Sequence, residues 1–375
     1  MIKFFGSSAF VFVLVTGIQI SVYADRGRVD EILVAAARAV GPAKEISKIR
    51  SITSTAACVG PKGAYSTTVV SFREDLTLFE QTYSYKDPLS VSINRDTVWG
   101  QKPETGKVVL LDAFQRMVAR LHEYQKMAFE PRKFFKELEY VGEDEFAGRP
   151  AHKIGAKTEL DIPAFLYFDT LTKRLAGYRL LIPNSTDTVT NILSGWNKVG
   201  SLTLPSLVTA IDNAGEWTLR FHSIRLNSAD RRLLDVPPRV ADQAELLRLH
   251  EQQKTAHLTH NSDLFVEMFA ENLTQLQRGE ISIRTKDENR MRFKSYFATF
   301  KFKEWENIRP PVISVSKDGS MATIAVQKRV RGTYKNEKGD VVEENVVYAW
   351  LEVWEKINRK WKVVTVASTE RDGSR

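Results

Sequence analysis

The chain of 375 residues has one cysteine, Cys58. One thiol excludes an internal disulfide, so stability has to come from packing. Cys58 sits in the apolar-flanked run AACVG, which reads as a buried strand thiol. Beyond the first 24 residues no apolar run is long enough to span a bilayer, which excludes later transmembrane helices. No internal repeat or low-complexity segment occurs, which excludes solenoids and disordered tracts. There is little excess charge of one sign. The 54 Lys and Arg stand against 46 Asp and Glu, interspersed as in KEWEN and KNEKGD. A nucleic-acid face needs basic clustering with stacking aromatics, so nucleic acid is excluded as a partner. From Gly142 to Pro238 no nucleophile, metal cluster or phosphate loop interrupts the chain.

What is present begins with an export signal. Lys3 is a short basic region, Ala9 to Ile20 is apolar, and Val22-Tyr23-Ala24 offers the small residues of a cleavage site. Cleavage after Ala24 predicts a mature chain in the periplasm or secreted. That chain is longer than one core usually holds, so two domains are expected, residues 25–240 and 241–375.

The first domain reads as a helix over Asp30 to Val40, then strands, including Ala64 to Arg73, Leu76 to Tyr85 and Val91 to Trp99. A helix over Leu111 to Tyr124 follows. The stretch GEDEFAGRPAHKI, AFLYFDTLTKRLAGYRL, GWNKVGSLTLPSLV and GEWTLRFHSIRLN reads as an antiparallel meander. In its order of elements, from INRDTVWGQ through EYVGEDEFAGRPAHKI to GWNKVGSLTLP, this part resembles the LolA-like family of outer-membrane lipoprotein carriers. The resemblance implies a half-open antiparallel β-barrel with a helical lid, and an acyl chain between them. Candidate liners are Phe72, Phe79, Tyr83, Ile93, Trp99 and Phe114. Taken singly, each reads first as a core side chain.

Pro237-Pro238 closes the first domain, since neither proline can continue a ladder or a helix interior. Helices are expected over Ala241 to His260, over LFVEMFAEN behind a Ser262-Asp263 cap, and over Glu288 to Phe300. Long strands end the chain, with turns at KDGS, NEKGD and INR. The order, with KDGSMATIAV and YAWLEVWEKINRKWKVV, resembles the SnoaL-like superfamily, which includes nuclear transport factor and ketosteroid isomerase. The resemblance implies a second α+β domain, cone-shaped, with a curved antiparallel sheet. The isomerase's tyrosine and base positions read Thr255 and Thr274-Gln275-Leu276 here, so neither proton-transfer group is in place.

Glu352 shares a strand face with Tyr348, Trp350 and Trp354, and a partly buried Glu can titrate high. His257 and His260 are three apart and His250 is seven before His257, but no cysteine or clustered Asp supplies a further metal ligand in sequence reach. No cofactor or metal is expected. The ligand-binding candidates of this domain are His257, His260, Tyr296 and Glu352. The sequence thus points to an exported, non-catalytic binder of an apolar small molecule or lipid. Two alternatives stay open: an isomerase- or cyclase-type enzyme in the second domain, and a scaffold for a cell-envelope protein. A homodimer through the second domain also stays open.

Overall fold

The computed structural model describes residues 12–101, 106–183 and 185–373. Lys3 and the start of the apolar run lie outside them. The chain divides into two compact units, Met1–Asp235 and Val236–Arg375.

In the first unit α1 (Phe12–Val40) and α2 (Ala43–Ile46) precede the sheet. Six strands run outward: β1 (Ser51–Gly60), β2 (Gly63–Phe72), β3 (Leu76–Tyr83), β4 (Leu89–Asn94), β5 (Thr97–Gln101) and β6 (Val108–Leu110). Then α3 (Ala113–Leu121) and α4 (Tyr124–Met127) carry the chain to the opposite edge. Seven strands return: β7 (Lys136–Phe146), β8 (Arg149–Lys157), β9 (Pro163–Asp169), β10 (Leu175–Leu181), β11 (Thr188–Val199), β12 (Leu202–Asp212) and β13 (Gly215–Leu226). The last strand pairs with β1, so the order is β6-β5-β4-β3-β2-β1-β13-β12-β11-β10-β9-β8-β7. β6 and β7 are its ends, so this antiparallel sheet is not closed into a barrel.

Strand alternation decides what each face carries. In β9, Ala164, Leu166 and Phe168 join Val29, Ile32, Met117 and Tyr124 of the helices in the main core. Tyr167 points the other way and stacks on Phe146 at 4.2 Å. The helices thus cover one face. α3 starts at Asp112, whose carboxylate accepts from the Phe114 and Gln115 amides in a capping box with Gln115. The expected helix to Tyr124 is two helices, with the buried Glu123 between them. Its carboxylate accepts from Thr77 at 2.7 Å and pairs with Lys126 at 3.3 Å. The expected strand Val91 to Trp99 is also two, because Arg95-Asp96 makes a turn with Arg95 at φ 54°.

The second unit contains α5 (Pro238–Leu258), α6 (Ser262–Val266), β14 (Phe269–Gln277), β15 (Glu280–Thr285), α7 (Lys286–Thr299), β16 (Lys301–Asn307), β17 (Val312–Val315), β18 (Met321–Lys335), β19 (Val341–Ile357) and β20 (Lys360–Asp372). The sheet order is β15-β14-β20-β19-β18-β16, with β17 on β18. β14 and β20 are parallel, and the other pairs are antiparallel. α5 begins at Pro238, three residues ahead of the expected start at Ala241. Proline at the first helical position loses no hydrogen bond, so Pro238 opens the helix instead of blocking it. α6 is capped by Asn261 and stops at Val266, so FAEN is strand, not helix.

Candidate functional site

The six candidate liners of the first unit do not meet around one space. The pairing of Val69 with Phe79 and of Ile93 with Val98 puts Phe79, Tyr83 and Ile93 on one face of the sheet. Phe72 and Trp99 fall on the opposite face, since Val70 pairs with Leu78 and Ser92 with Trp99. Phe79 and Ile93 are fully buried, packed with Val69, Val91, Val98 and Ala119. Tyr83 stacks on Tyr65 at 5.2 Å. Phe72 borders a void of only about 10 Å³, room for one water at most. Phe114 is 55% exposed.

The second unit does bring candidates together. His257 from α5, Tyr296 from α7 and Glu352 from β19 line one cavity of about 190 Å³. His260 stays outside it, exposed, with Nε2 at 3.0 Å from the Phe300 carbonyl. The walls are aromatic and aliphatic: Phe265 of α6, Phe269 and Leu273 of β14, Phe293 of α7, Trp305 of β16 and Trp350 of β19. They form a continuous aromatic shell, with Phe265 edge-on to Phe269, Phe293 and His257 at 4.6 to 5.0 Å. A larger depression of about 670 Å³ lies on the outer side of this sheet, beside Ala325, Ala349, Leu351 and Ala367. It is shallow and gathers no buried polar group.

Glu352 is the polar centre of the cavity. It is buried, and Oε1 accepts from Gln253 Nε2 at 3.0 Å and from Trp350 Nε1 at 2.9 Å. Oε2 accepts from Trp354 Nε1 at 2.9 Å. Burial raises its pKa, while these three donors and the charge of Lys328 pull the other way. His257 is stacked on Trp305 at 4.3 Å. Its Nδ1 donates to the Gln253 carbonyl at 2.7 Å, which leaves Nε2 as the acceptor of a neutral ring. Burial first, then neighbouring Lys328, lowers its pKa to about 4, so the ring is neutral at pH 7.

Behind the wall lies Lys328 of β18, fully buried, its Nζ 3.8 Å from the centre of the Trp305 ring and without a hydrogen-bond partner. Burial lowers its pKa to about 8. His250 of α5 is buried beside it, bonded through Nε2 to Asn307 at 3.2 Å, with its pKa lowered to about 4 chiefly by burial. Sequence reading passed over Lys328, although the signal was there. In MATIAVQKRV the inward positions are Ala322, Ile324, Val326, Lys328 and Val330, and a lysine in that series is out of place.

Among the described residues, no group of three or more His, Cys, Asp and Glu is placed to hold a metal, and no helix is long and apolar enough to cross a membrane.

No family model matches the chain, and no curated protein matches it in sequence. Solved structures do. The chain is similar to LolA-superfamily and NTF2-like proteins. A LolA superfamily protein from Nitrosomonas europaea aligns at 10% identity and TM-score 0.42, over 55% of this chain and 97% of its own. An NTF2-like protein from Cytophaga hutchinsonii aligns at 16% identity and TM-score 0.29, over 34% of this chain and 98% of its own. A ketosteroid isomerase-like protein from Erwinia carotovora atroseptica aligns at 18% identity and TM-score 0.27, over 34% of this chain and 94% of its own.

Proposed function

We propose that the protein is an exported, periplasmic binding protein that takes a small apolar or amphipathic molecule into the cavity of its second unit without converting it. The observation that carries this reading is an aromatic-walled cavity with a single anchored carboxyl group. An apolar cavity of about 150 Å³ takes up benzene. The 190 Å³ here therefore suits one ring with a substituent and is too small for a drug-sized or polycyclic ligand.

Binding is favoured over turnover by the state of Glu352. A general base has to carry the proton it takes from one substrate atom to another, which needs a mobile carboxyl group. Three N–H donors hold this carboxyl group, which fixes it as an anchor. The first unit has the makings of a half-open barrel with a lid of α1, α3 and α4. The void beside Phe72 is about 10 Å³, so an acyl chain would not lodge there.

The test is thermal unfolding of the mature protein with one-ring apolar compounds, alongside native mass spectrometry of the protein as purified. A ligand at about 100 times its Kd adds about 2.7 kcal/mol. A Tm that rises with compound, or a retained small mass, is the expected result. A Tm indifferent to every such compound, with empty protein in the spectrometer, defeats the reading. Turnover that vanishes with Glu352→Gln would transfer the site to the enzyme class.

A further inference from the structure

We propose that the ligand of the second-unit cavity is a neutral one-ring aromatic molecule with a hydroxyl or amino hydrogen, which it donates to Glu352 Oε2 or to His257 Nε2. The proposal rests on the cavity being a binding site and goes further by naming the ligand class. Three observations carry it.

The first is a count of donors and acceptors at the buried end. The donors there are largely spent, with only the second Gln253 amide hydrogen left over. Gln253 Nε2, Trp350 Nε1 and Trp354 Nε1 all point at Glu352. The His257 Nδ1 hydrogen is given to the Gln253 carbonyl. Acceptor capacity is what is left. A carboxylate offers about four lone-pair sites. Three are used, two on Oε1 and one on Oε2, so Oε2 retains one. The neutral His257 ring keeps the Nε2 lone pair. Both residues line the cavity. A ligand that only accepts hydrogen bonds would find at this end only the second Gln253 amide hydrogen, against two free acceptor sites, and a ligand with no polar group would leave the carboxylate short of a partner.

The second is charge. An aromatic cage around a carboxylate is also the setting for an organic cation. Lys328 argues against that here. Its fully buried ammonium lies 3.8 Å from the centre of the Trp305 ring, and the other side of the cavity wall is that same ring. The Lys328 charge therefore already offsets Glu352 in the same buried interior. A cationic ligand would bring a second positive charge, and an anionic one would meet the Glu352 carboxylate. A neutral ligand avoids both costs.

The third is size and shape. The 190 Å³ are walled by Phe265, Phe269, Phe293, Tyr296, Trp305 and Trp350, so a flat ring is the apolar body that fits.

The experiment uses the mature full-length protein and four probes of one size: phenol, toluene, benzylammonium and benzoate. Affinities are measured by calorimetry, and the indole N–H signals of Trp350 and Trp354 are followed by NMR, since both donate to Glu352. Phenol is expected to bind about tenfold or more tighter than toluene, the worth of one hydrogen bond to a charged group. It should also bind more tightly than either ion and shift both indole signals. Glu352→Gln should lower phenol affinity about tenfold and leave toluene unchanged. Lys328→Met, which removes the offsetting charge, should let benzylammonium overtake phenol. Toluene equal to phenol in the wild type would overturn the hydrogen-bond assignment while leaving the cavity a binding site. Benzylammonium or benzoate binding tightest would overturn neutrality. If none of the four binds, the binding-site reading falls as well, and the wild-type panel decides this without any variant having to fold.

Discussion

Phe79 and Phe114 carry the same side chain into opposite settings. Phe79 has no exposed surface and packs among Val69, Val91, Ile93 and Ala119, whereas Phe114 is 55% exposed on the first turn of α3. Phe79→Ala should cost about 3–5 kcal/mol, and Phe114→Ala should stay within about 0.5 kcal/mol. Urea unfolding of the two variants checks this. Similar losses for both would mean that Phe114 is covered in solution. Nothing in the local sequence separates these two, because each stands in an apolar pattern. The same holds for Phe72 and Trp99 against Phe79 and Ile93. Alternation within one strand shows which residues share a face. Relating one strand's face to the next requires the pairing register, which is non-local. The second-unit site was more legible. His257, Tyr296 and Glu352 stand out because a polar or titratable group interrupts an apolar face. Phe265, Phe269, Phe293 and Trp305 do not, since aromatic residues in a cavity wall and in a core have the same pattern.

At the scale of elements, the helix that carries Phe293 and Tyr296 is fixed by its first turn. Thr285 Oγ1 accepts from the Glu288 amide at 3.3 Å, and the Thr285 amide donates to Glu288 Oε2 at 2.7 Å. This capping box satisfies two amide donors at the α7 boundary. Thr285→Ala should therefore cost about 1 kcal/mol, and Thr285→Ser should keep most of it. Chemical denaturation resolves the difference. Equal losses in both variants would assign the effect to the Thr285 methyl group and not to the cap. The tight turns were the most legible elements. Ala147-Gly148, Arg278-Gly279 and Asn358-Arg359 all have positive φ at both residues, the geometry that two-residue hairpins require. They link pairs that close at Phe146 with Arg149, Gln277 with Glu280 and Ile357 with Lys360. Boundaries were less legible where one residue type serves two purposes. Pro238 reads as a stop but starts α5. Ser262-Asp263 reads as the cap of the next helix, but Asn261 supplies it.

At the scale of the whole molecule, each unit encloses its own hydrophobic clusters, and the division falls between Asp235 and Val236. We infer that each unit folds when the chain is cut there, which expression of residues 25–235 and 236–375 tests directly. Two fragments without cooperative unfolding would make the protein one unit. The second fragment should also be acid-labile, and the sign follows from its histidines. His250 and His257 are buried and neutral, with pKa values lowered from 6.5 to about 4. Between those values the unfolded chain takes up protons at both positions and the folded one does not. Stability is thus complete above about pH 6.5 and lost as pH falls toward 4. Each histidine contributes on the order of 1 kcal/mol per pH unit within that window. Glu352 acts in the opposite direction, because its raised pKa lets the folded state take up a proton first as the solution acidifies. Lys328, with a pKa of about 8, is charged in both states below pH 6.5 and adds no slope there. Two histidines against one carboxyl leave a net loss of stability. Urea midpoints of the second fragment at pH 7, 5.5 and 4.5 should fall in that order, and a midpoint constant from pH 7 to 4.5 would show that water or a shifted helix α5 already solvates His250 and His257.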